Sequence, residues 1–309
     1  MVQQQLSFEY YIQQGQGVLI RCYGDSPCVT LPSHINGVAL TEICQYCFSE
    51  KAPSRLGKVE ILRWGQDFSH AICGNFVEKA EFSGGLKKIG SLAFYNCRNL
   101  EALSLPSSLE VVEGDAFMNC HALEKIDFDC PHTAISPLRQ VGSLIQHNFV
   151  AKFADGMSFL FPEYYEELEE NTPAHIFNRQ VVGVGYRYRR CFQGDVLDVE
   201  EYDRSLALAS REEAIPPLCR LALFRLMAPC PSKNPELYKN YLAQNLQTAL
   251  EECVKRQEYE GLEFLVKEFC PSSQILFAVR TLAQKKGDAK ASTLLTSTAF
   301  SPIKKDYDF

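Results

Sequence analysis

The sequence predicts an α+β protein in which a solenoid of short strands is followed by an all-helical C-terminal region. Two observations carry this prediction. A unit of 23 residues repeats between positions 86 and 128, with apolar side chains returning at fixed places. From Tyr202 onward, the spacing of apolar residues changes to that of helices. The length of 309 residues is sufficient for both parts.

The repeat is clearest in two adjacent segments, LKKIGSLAFYNCRNLEALSLP from Leu86 and LEVVEGDAFMNCHALEKIDF from Leu109. A period of roughly 20 to 29 residues with this apolar spacing is typical of a solenoid, because one coil buries its apolar face only when another stacks on it. The pattern fades after Phe128, where we expect a closing cap. The positions that match at offset 23 are Leu86 and Leu109, Ile89 and Val112, Phe94 and Phe117, Cys97 and Cys120, Leu100 and Leu123, and Leu105 and Phe128.

Two further copies are predicted upstream of this pair. The first has Ile43 five residues before Phe48, and its inward strand positions are expected in LGKVEI. The second is degenerate, because the segment LRWGQDFSHAICGN lacks the Phe and Cys signature and only VEKAEF supplies a strand. The inward positions of these two strands are Leu56, Val59 and Ile61 in the first and Val77, Ala80 and Phe82 in the second.

The Phe, Cys and strand positions together resemble the BspA-type leucine-rich repeat family over roughly residues 30–130. The phrase LPSHINGVALTEI, from Leu31, is similar to the usual beginning of the first coil in that family. The resemblance implies that the repeated Phe and Cys side chains point inward, and it implies a bacterial origin. Members of the family that carry secretion signals act as surface adhesins.

The sequence divides into three predicted regions, namely a solenoid over residues 1–140, a connecting and capping segment over 141–201, and a helical domain over 202–309. In the middle region, MSFLFP predicts a short strand ended by Pro162. The acidic run EYYEELEEN predicts a solvated helix face or the start of a linker. The alternation in VVGVGYRYRRCF predicts a strand from Val181 to Phe192.

Helical signals dominate the last region. LCRLALFRLMA is apolar nearly all round and predicts a buried helix, with Pro216 and Pro217 in its first turn. LYKNYLAQNLQTALEECVKR predicts a second helix. The segments from Ala249 and Ala278 match at offset 29, which resembles ankyrin-like helix hairpins without the β-hairpin portion and the TPLHxA signature.

Composition bounds the functional classes. The net charge of −7 argues against broad affinity for nucleic acid or for an anionic membrane. The thirteen cysteines are an odd number in a long chain, and the first residues lack the pattern of a signal peptide. We therefore expect a cytoplasmic protein with reduced thiols and no membrane partner.

Catalytic patterns are missing from the sequence. We find no GxSxG, no HExxH, no phosphate loop, and no paired histidine and carboxylate, and the six histidines are scattered. The prediction is accordingly a non-enzymatic protein with no cofactor and no small-molecule substrate.

Two segments leave alternatives open. Tyr186, Arg187, Tyr188, Arg189 and Arg190 could stack on and neutralise a nucleic acid strand, although the acidic run DVLDVEEYD that follows is expected to pair with these arginines. The CQYC pair, Cys44 and Cys47, has the spacing of a metal or redox site, although Cys47 directly precedes the core position Phe48.

The favoured interpretation is a protein-interaction scaffold, because a stacked array presents a contiguous and rigid strand face. Glu78, Glu101 and Glu124 lie beside this face, which is mixed in charge and leans acidic. The predicted partner-binding residues, all outward by register or adjacent to the strands, are Lys58, Glu60, Lys79, Glu81, Glu101, Ser104, Lys125 and Asp127.

Overall fold

In the computed structural model of the chain, short strands fill the first part and helices fill the last part, which confirms the predicted α+β class. The structure describes residues 5–53, 59–171, 176–211, 215–230 and 232–297. The chain divides into two units, Met1–Tyr202 and Asp203–Phe309. The division into three regions, 1–140, 141–201 and 202–309, stays a prediction.

The elements are numbered in chain order. The strands are β1 (Ser7–Gln13), β2 (Gln16–Tyr23), β3 (Cys28–Leu31), β4 (His34–Ile35), β5 (Val38–Ile43), β6 (Leu62–Trp64), β7 (Lys79–Phe82), β8 (Lys88–Ile89), β9 (Ala102–Leu105), β10 (Val111–Val112), β11 (Lys125–Phe128), β12 (Phe149–Phe153), β13 (Ser158–Phe161), β14 (Tyr165–Asn171), β15 (Ile176–Val182), β16 (Phe192–Gln193) and β17 (Val196–Leu197). The helices are α1 (Leu138–Leu144), α2 (Gly185–Tyr188), α3 (Val199–Ala209), α4 (Ile215–Met227), α5 (Pro235–Gln244), α6 (Leu246–Arg256), α7 (Tyr259–Phe269), α8 (Ser273–Lys285) and α9 (Ala289–Ser297).

A six-stranded sheet in the order β13-β12-β11-β9-β7-β3 runs along the repeats. Its strands from β3 to β12 are parallel, and β13 closes the sheet as an antiparallel hairpin with β12. Alternate residues of a strand point to opposite faces, so the inward row stacks from coil to coil. That row is buried throughout and consists of Val29, Ala80, Leu103, Ile126 and Ala151.

The repeated aromatic and thiol side chains form two ladders inside the coils. Phe48 stacks on Phe94 with ring centroids 4.7 Å apart, and Phe94 stacks on Phe117 at 5.7 Å. The Cys97 thiol donates to the carbonyl of Phe48 at 3.1 Å, and the Cys120 thiol donates to the carbonyl of Phe94 at 3.1 Å. The inward placement that the repeat predicts is confirmed, since all five side chains are buried.

A second, seven-stranded sheet holds the opposite side of the coils, where the parallel strands β5, β8 and β10 are short. The Lys88 ammonium lies 2.9 Å from a carboxylate oxygen of Glu42 and 2.9 Å from one of Glu113, so it joins three successive coils. Side chains also close both ends of the repeats. Arg21 donates to the carbonyl of Ser49 at the upstream end, and Gln140 of α1 binds the edge of β10 at the downstream end.

The first coil differs from its prediction. Phe48 lies 31 positions before Lys79 at the beginning of β7, whereas Phe94 lies eight positions before Ala102 at the beginning of β9. The difference equals one period of 23 residues, and it is taken up by an excursion in which β6 pairs antiparallel with β1. A prediction based on the period alone therefore assigns this excursion to a coil, although its residues lie outside the stack of coils.

The predicted strand in LGKVEI is wrong for this reason. Val59 and Ile61 are exposed instead of inward, and Leu56 lies outside the described residues. In contrast, Val77, Ala80 and Phe82 are buried as the repeat predicts. Strand β3, which the sequence prediction missed, supplies the sixth strand of the sheet.

Two predictions for the middle region are also wrong. The acidic run contains strand β14, which pairs antiparallel with β15 over seven residues. Its main chain is therefore hydrogen-bonded in a strand pair, and the run is neither a helix nor a linker. The segment from Val181 to Phe192 is not one strand, because β15 ends at Val182 and the short helix α2 follows at Gly185.

The helical unit follows its prediction in outline. Helix α4 buries Leu218, Cys219 and Leu221, as expected of an apolar helix. The predicted second helix is in fact two, because Asn245 lies between α5 and α6 with a non-helical backbone. Helix α6 contacts α7 and α8, and α8 contacts α9. The ankyrin-like relationship of these pairs stays a prediction. No helix among the described residues is long and apolar enough to span a membrane.

Candidate protein-binding surface

The outward residues of the six-stranded sheet form two straight rows, which we call the outer face. The first row begins at Cys28 and the second at Thr30, and each row has one residue in every coil from β3 to β11. Neighbouring strands of a sheet lie about 4.8 Å apart, so the side chains of a row are evenly spaced. The outer face consists of Cys28, Lys79, Ala102 and Lys125 in the first row and Thr30, Glu81, Ser104 and Asp127 in the second.

Charge alternates across the outer face. Lys79 and Lys125 of the first row are exposed, and so are Glu81 and Asp127 of the second. The central positions Ala102 and Ser104 are short and half-buried. The outer face therefore has short, uncharged side chains on its central strand β9 and charged side chains on the flanking strands β7 and β11.

A glutamate row runs beside the basic row. Glu101 donates its main-chain N–H to the carbonyl of Glu78 at 2.8 Å, and Glu124 donates to the carbonyl of Glu101 at 3.1 Å. All three side chains are exposed. The order across the surface is thus acidic, basic and acidic, which gives a pattern that a partner could read by charge complementarity.

The outer face has a well-fixed backbone, because β7, β9 and β11 are paired with strands on both sides and β3, at the edge of the sheet, is paired on one side. Glu81 is also oriented by a side chain, since the Thr30 hydroxyl donates to its carboxylate at 3.0 Å. At the downstream side, Lys152 of β12 continues the second row next to Asp127. The chemistry that this surface supports is recognition by charge and hydrogen bonding.

The structure brings together six of the eight residues predicted from the sequence. Lys79, Glu81, Ser104, Lys125 and Asp127 lie on the outer face, and Glu101 lies in the adjacent glutamate row. Two do not join them. Glu60 is exposed but belongs to no strand, and Lys58 lies outside the described residues.

Sequence reasoning missed the upstream end of the face. Cys28 and Thr30 sit in CVTL, which has the same alternation as KAEF, ALSL and KIDF. That alternation was a usable signal. It was overlooked because the Phe and Cys signature of the repeat does not precede β3 in the chain.

The basic and aromatic segment proposed for nucleic acid binding is folded differently from a binding strand. Tyr188 and Arg189 are buried, whereas Tyr186, Arg187 and Arg190 are exposed. The Arg190 guanidinium lies over the ring of Tyr186 at 5.5 Å. Only part of the segment is therefore available to stack on bases.

Arg189 does not pair with the acidic run that follows it, so the expected ion pair is wrong for this arginine. Its guanidinium donates to main-chain carbonyls of Gly142 and Ile145 at the end of α1 and of Pro162 at the end of β13. It also lies over the rings of Phe149 and Tyr164. Burial lowers the pKa of Arg189 to about 10, which leaves the side chain charged at neutral pH.

Cys44 and Cys47 are buried, and Cys47 is packed within the stack beside Phe48. Burial raises the pKa of the Cys44 thiol to about 12, and burial also raises the pKa of Cys47 well above its usual value. Metal binding and thiol redox chemistry both use the thiolate, which these surroundings disfavour. Within the described ranges, no group of three or more His, Cys, Asp or Glu side chains is placed to hold a metal ion.

Comparison with known proteins identifies the repeats. Residues 66–138 match the family model of the BspA type leucine rich repeat region (6 copies). The chain is also similar to the crystal structure of the T. pallidum leucine rich repeat protein TpLRR, with 20% identity and a TM-score of 0.30 over 40% of this chain and 51% of that one. The chain thus spans about half the length of that protein. A search of curated proteins gives no significant match.

Proposed function

We propose, from the premise that residues 66–138 are BspA-type leucine-rich repeats, that this chain is a non-enzymatic scaffold that binds a partner protein through its outer face. Solenoids of this kind commonly use their extended surfaces for protein interaction. The single observation that supports the proposal most is the outer face itself, whose two rows hold exposed charges in register on β7 and β11, on either side of the short residues of β9.

The partner in this proposal is a protein with a surface complementary to alternating acidic, basic and acidic rows. The glutamate row and the second row of the outer face are acidic, so basic side chains of the partner would lie over Glu81, Glu101 and Asp127. The helical unit, whose helix pairs are predicted to be ankyrin-like, would offer a further interaction surface. We also propose that this chain is a cytoplasmic protein of bacterial origin. The location rests on its cysteine usage, and the origin rests on the resemblance described above.

The test reverses charge where the partner is expected to bind. A triple variant Glu81→Lys, Glu101→Lys and Asp127→Lys is compared with the unaltered chain by affinity purification from the native organism and mass spectrometry of the bound proteins. We expect the triple variant to lose a partner that the unaltered chain retains, with little change in melting temperature because the three side chains are exposed.

A matched control carries the same charge change elsewhere. Asp25→Lys, Glu110→Lys and Asp195→Lys alter three side chains that are all more than half exposed and lie away from the outer face. The control is expected to retain the partner. Identical sets of bound proteins for the unaltered chain and the triple variant would contradict the proposal.

A further inference from the structure

A second surface lies at the downstream end of the repeats, where each coil turns after its short strand. In this turn, main-chain N–H groups of one coil donate to carbonyls of the next. Phe48 donates to Ala93 at 2.8 Å, and one coil later Phe94 donates to Ala116 at 2.9 Å. Asn96 likewise donates to the carbonyl of Met118 at 3.0 Å. The turns at Phe48 and Phe94 are therefore each joined to the downstream neighbour by this first bond, and the turn at Asn96 also by a second.

The last turn has no such neighbour. The N–H groups equivalent to those of Phe94 and Asn96 are those of Phe117 and Asn119, and within the described part of the chain neither has an acceptor. The cap replaces a coil only in part. Gln140 binds the edge of β10, and His147 Nε2 lies 2.8 Å from the carbonyl of Leu123.

The two N–H groups belong to residues that line a cleft of about 550 Å³ between the last turn and the cap. Met118 is 46% exposed and Tyr165 is 50% exposed, and both line this cleft. The Asn119 side chain donates its Nδ2 to Oδ1 of Asn96 at 2.7 Å, which directs its own Oδ1 to accept from a group in the next position. The residues that line the cleft thus include two whose main-chain N–H groups have no main-chain acceptor among the described residues, one amide oxygen and apolar side chains.

Charge in the cleft disfavours an anion as the ligand. Asp115 and Glu163 both line the cleft, and their carboxylates repel a phosphate or a free carboxylate. Burial lowers the pKa of His147, so this ring is neutral at pH 7 and adds no positive charge. The group that suits the two N–H donors is a neutral carbonyl oxygen.

We propose that this cleft binds a short peptide segment of a partner protein, whose main-chain carbonyls take the place of those of a further coil. The segment would present two carbonyls separated by one residue, as an extended chain does on one side. An apolar side chain of the segment would contact Met118 and Tyr165, and an amide side chain would donate to Asn119.

This cleft shares no residue with the outer face, so the two proposals can fail separately. Loss of a partner through the outer-face triple variant leaves the cleft intact. Variants in the cleft, conversely, leave Glu81, Glu101 and Asp127 unchanged.

The test uses the full chain labelled with ¹⁵N and a synthetic peptide copying residues 91–96, SLAFYN, with acetylated and amidated ends. This peptide carries the two carbonyls and the asparagine amide of one turn and has no charge. In a titration to millimolar peptide, we expect the amide protons of Phe117 and Asn119 to shift downfield and to exchange more slowly with solvent. The variant Met118→Glu should weaken binding by ~10-fold or more, since it places a third carboxylate in the cleft.

Val111→Glu is the matched control, because Val111 lies in the same coil, is 43% exposed and does not line the cleft. It should leave peptide binding unchanged. Three results would overturn the proposal: unchanged Phe117 and Asn119 amides at millimolar peptide, which means that water alone fills the cleft; equal loss of binding in both variants; or protection of these amides by self-association of the chain without peptide.

Discussion

Phe94 and Phe117 lie one above the other inside the repeats, with ring centroids 5.7 Å apart and ring planes inclined by 25°. They occupy the same place in consecutive coils, 23 residues apart. Phe94 has Phe48 on its other side and Phe82 at 6.2 Å in an edge-to-face contact, so its ring has three aromatic neighbours. The stability of the strand-rich unit should therefore depend strongly on this one side chain.

The variant Phe94→Ala should lower the free energy of unfolding by about 3–5 kcal/mol, because it removes a fully buried ring and leaves a cavity between two coils. Urea denaturation followed by fluorescence measures this, since the only tryptophan, Trp64, stacks on Phe8 in the same unit. Met118→Ala is the control, because this residue is 46% exposed, whereas Phe94 is fully buried. Equal effects of the two variants would contradict a stacked core.

The cap should depend on the Gln140 amide. Its Oε1 accepts from the N–H of Val112 at 3.0 Å, and its Nε2 donates to the carbonyl of Glu110 at 2.9 Å, as the main chain of another strand would do. Gln140→Ala removes the partner of the Val112 N–H and of the Glu110 carbonyl, and it should cost about 1–2 kcal/mol in the same urea experiment. Gln146→Ala, with an exposed side chain on the same segment, should change stability by less than about 0.5 kcal/mol. An effect of Gln146→Ala as large as that of Gln140→Ala would argue against this cap.

Arg189 should be required for the fold around α1. Its guanidinium is buried and binds several main-chain carbonyls without a carboxylate partner among the described residues. Arg189→Met removes these donors and should lower the free energy of unfolding by about 3 kcal/mol or more, because buried carbonyls lose their partners. Arg187→Met, at an exposed position two residues earlier, tests whether loss of charge alone has this effect. Similar melting temperatures for the two variants would refute the structural role of Arg189.

Thiol ionisation should destabilise the protein at high pH. Burial raises the pKa of Cys22, Cys44 and Cys120 from the usual value near 9 to about 12. The unfolded chain then loses these protons first, so the folded state binds more protons above pH 9 and its stability falls as pH rises from about 9 to about 12. Below pH 9 these thiols should give no pH dependence.

Unfolding midpoints in urea between pH 7 and pH 11 measure this trend. The matched comparison is a Cys22→Ser, Cys44→Ser, Cys120→Ser variant, which should show a smaller loss of stability between pH 9 and pH 11. A loss of the same size in both proteins would assign the trend to other groups.

The sequence was sufficient for those parts of the fold that recur with a constant period. Phe94, Phe117, Cys97 and Cys120 could be placed in the core because neighbouring coils impose the same environment on the same position. The prediction for the first coil was wrong because its excursion is as long as one repeat. The repeat spacing alone does not distinguish a coil from a loop of the same length. Glu60 was assigned to the outer face through this error.

Parts that depend on unique contacts could not be predicted in the same way. The pattern around Arg189 suggests an ion pair, because carboxylates are visible in a sequence, whereas its actual partners are main-chain carbonyls that every residue carries. The acidic run 165–171 likewise resembles a solvated segment until β15 is known to pair with it. For the candidate surface, the alternation in CVTL would have revealed Thr30 if strand patterns had been compared without the Phe and Cys signature.

The side chain of Lys88 lies between carboxylates of the coils before and after it, and the next coil has Val111 at the equivalent position. Between residues 86–108 and 109–131, the ring stacking, the thiol hydrogen bonds and the strand pairing all recur at an interval of 23 residues. Loss or duplication of a whole unit by unequal recombination would therefore preserve the stack. It would separate or double Lys88 and its two glutamate partners. Loss or gain of a whole unit would thus keep the register of the apolar core, and it would change mainly the charges that the surface displays.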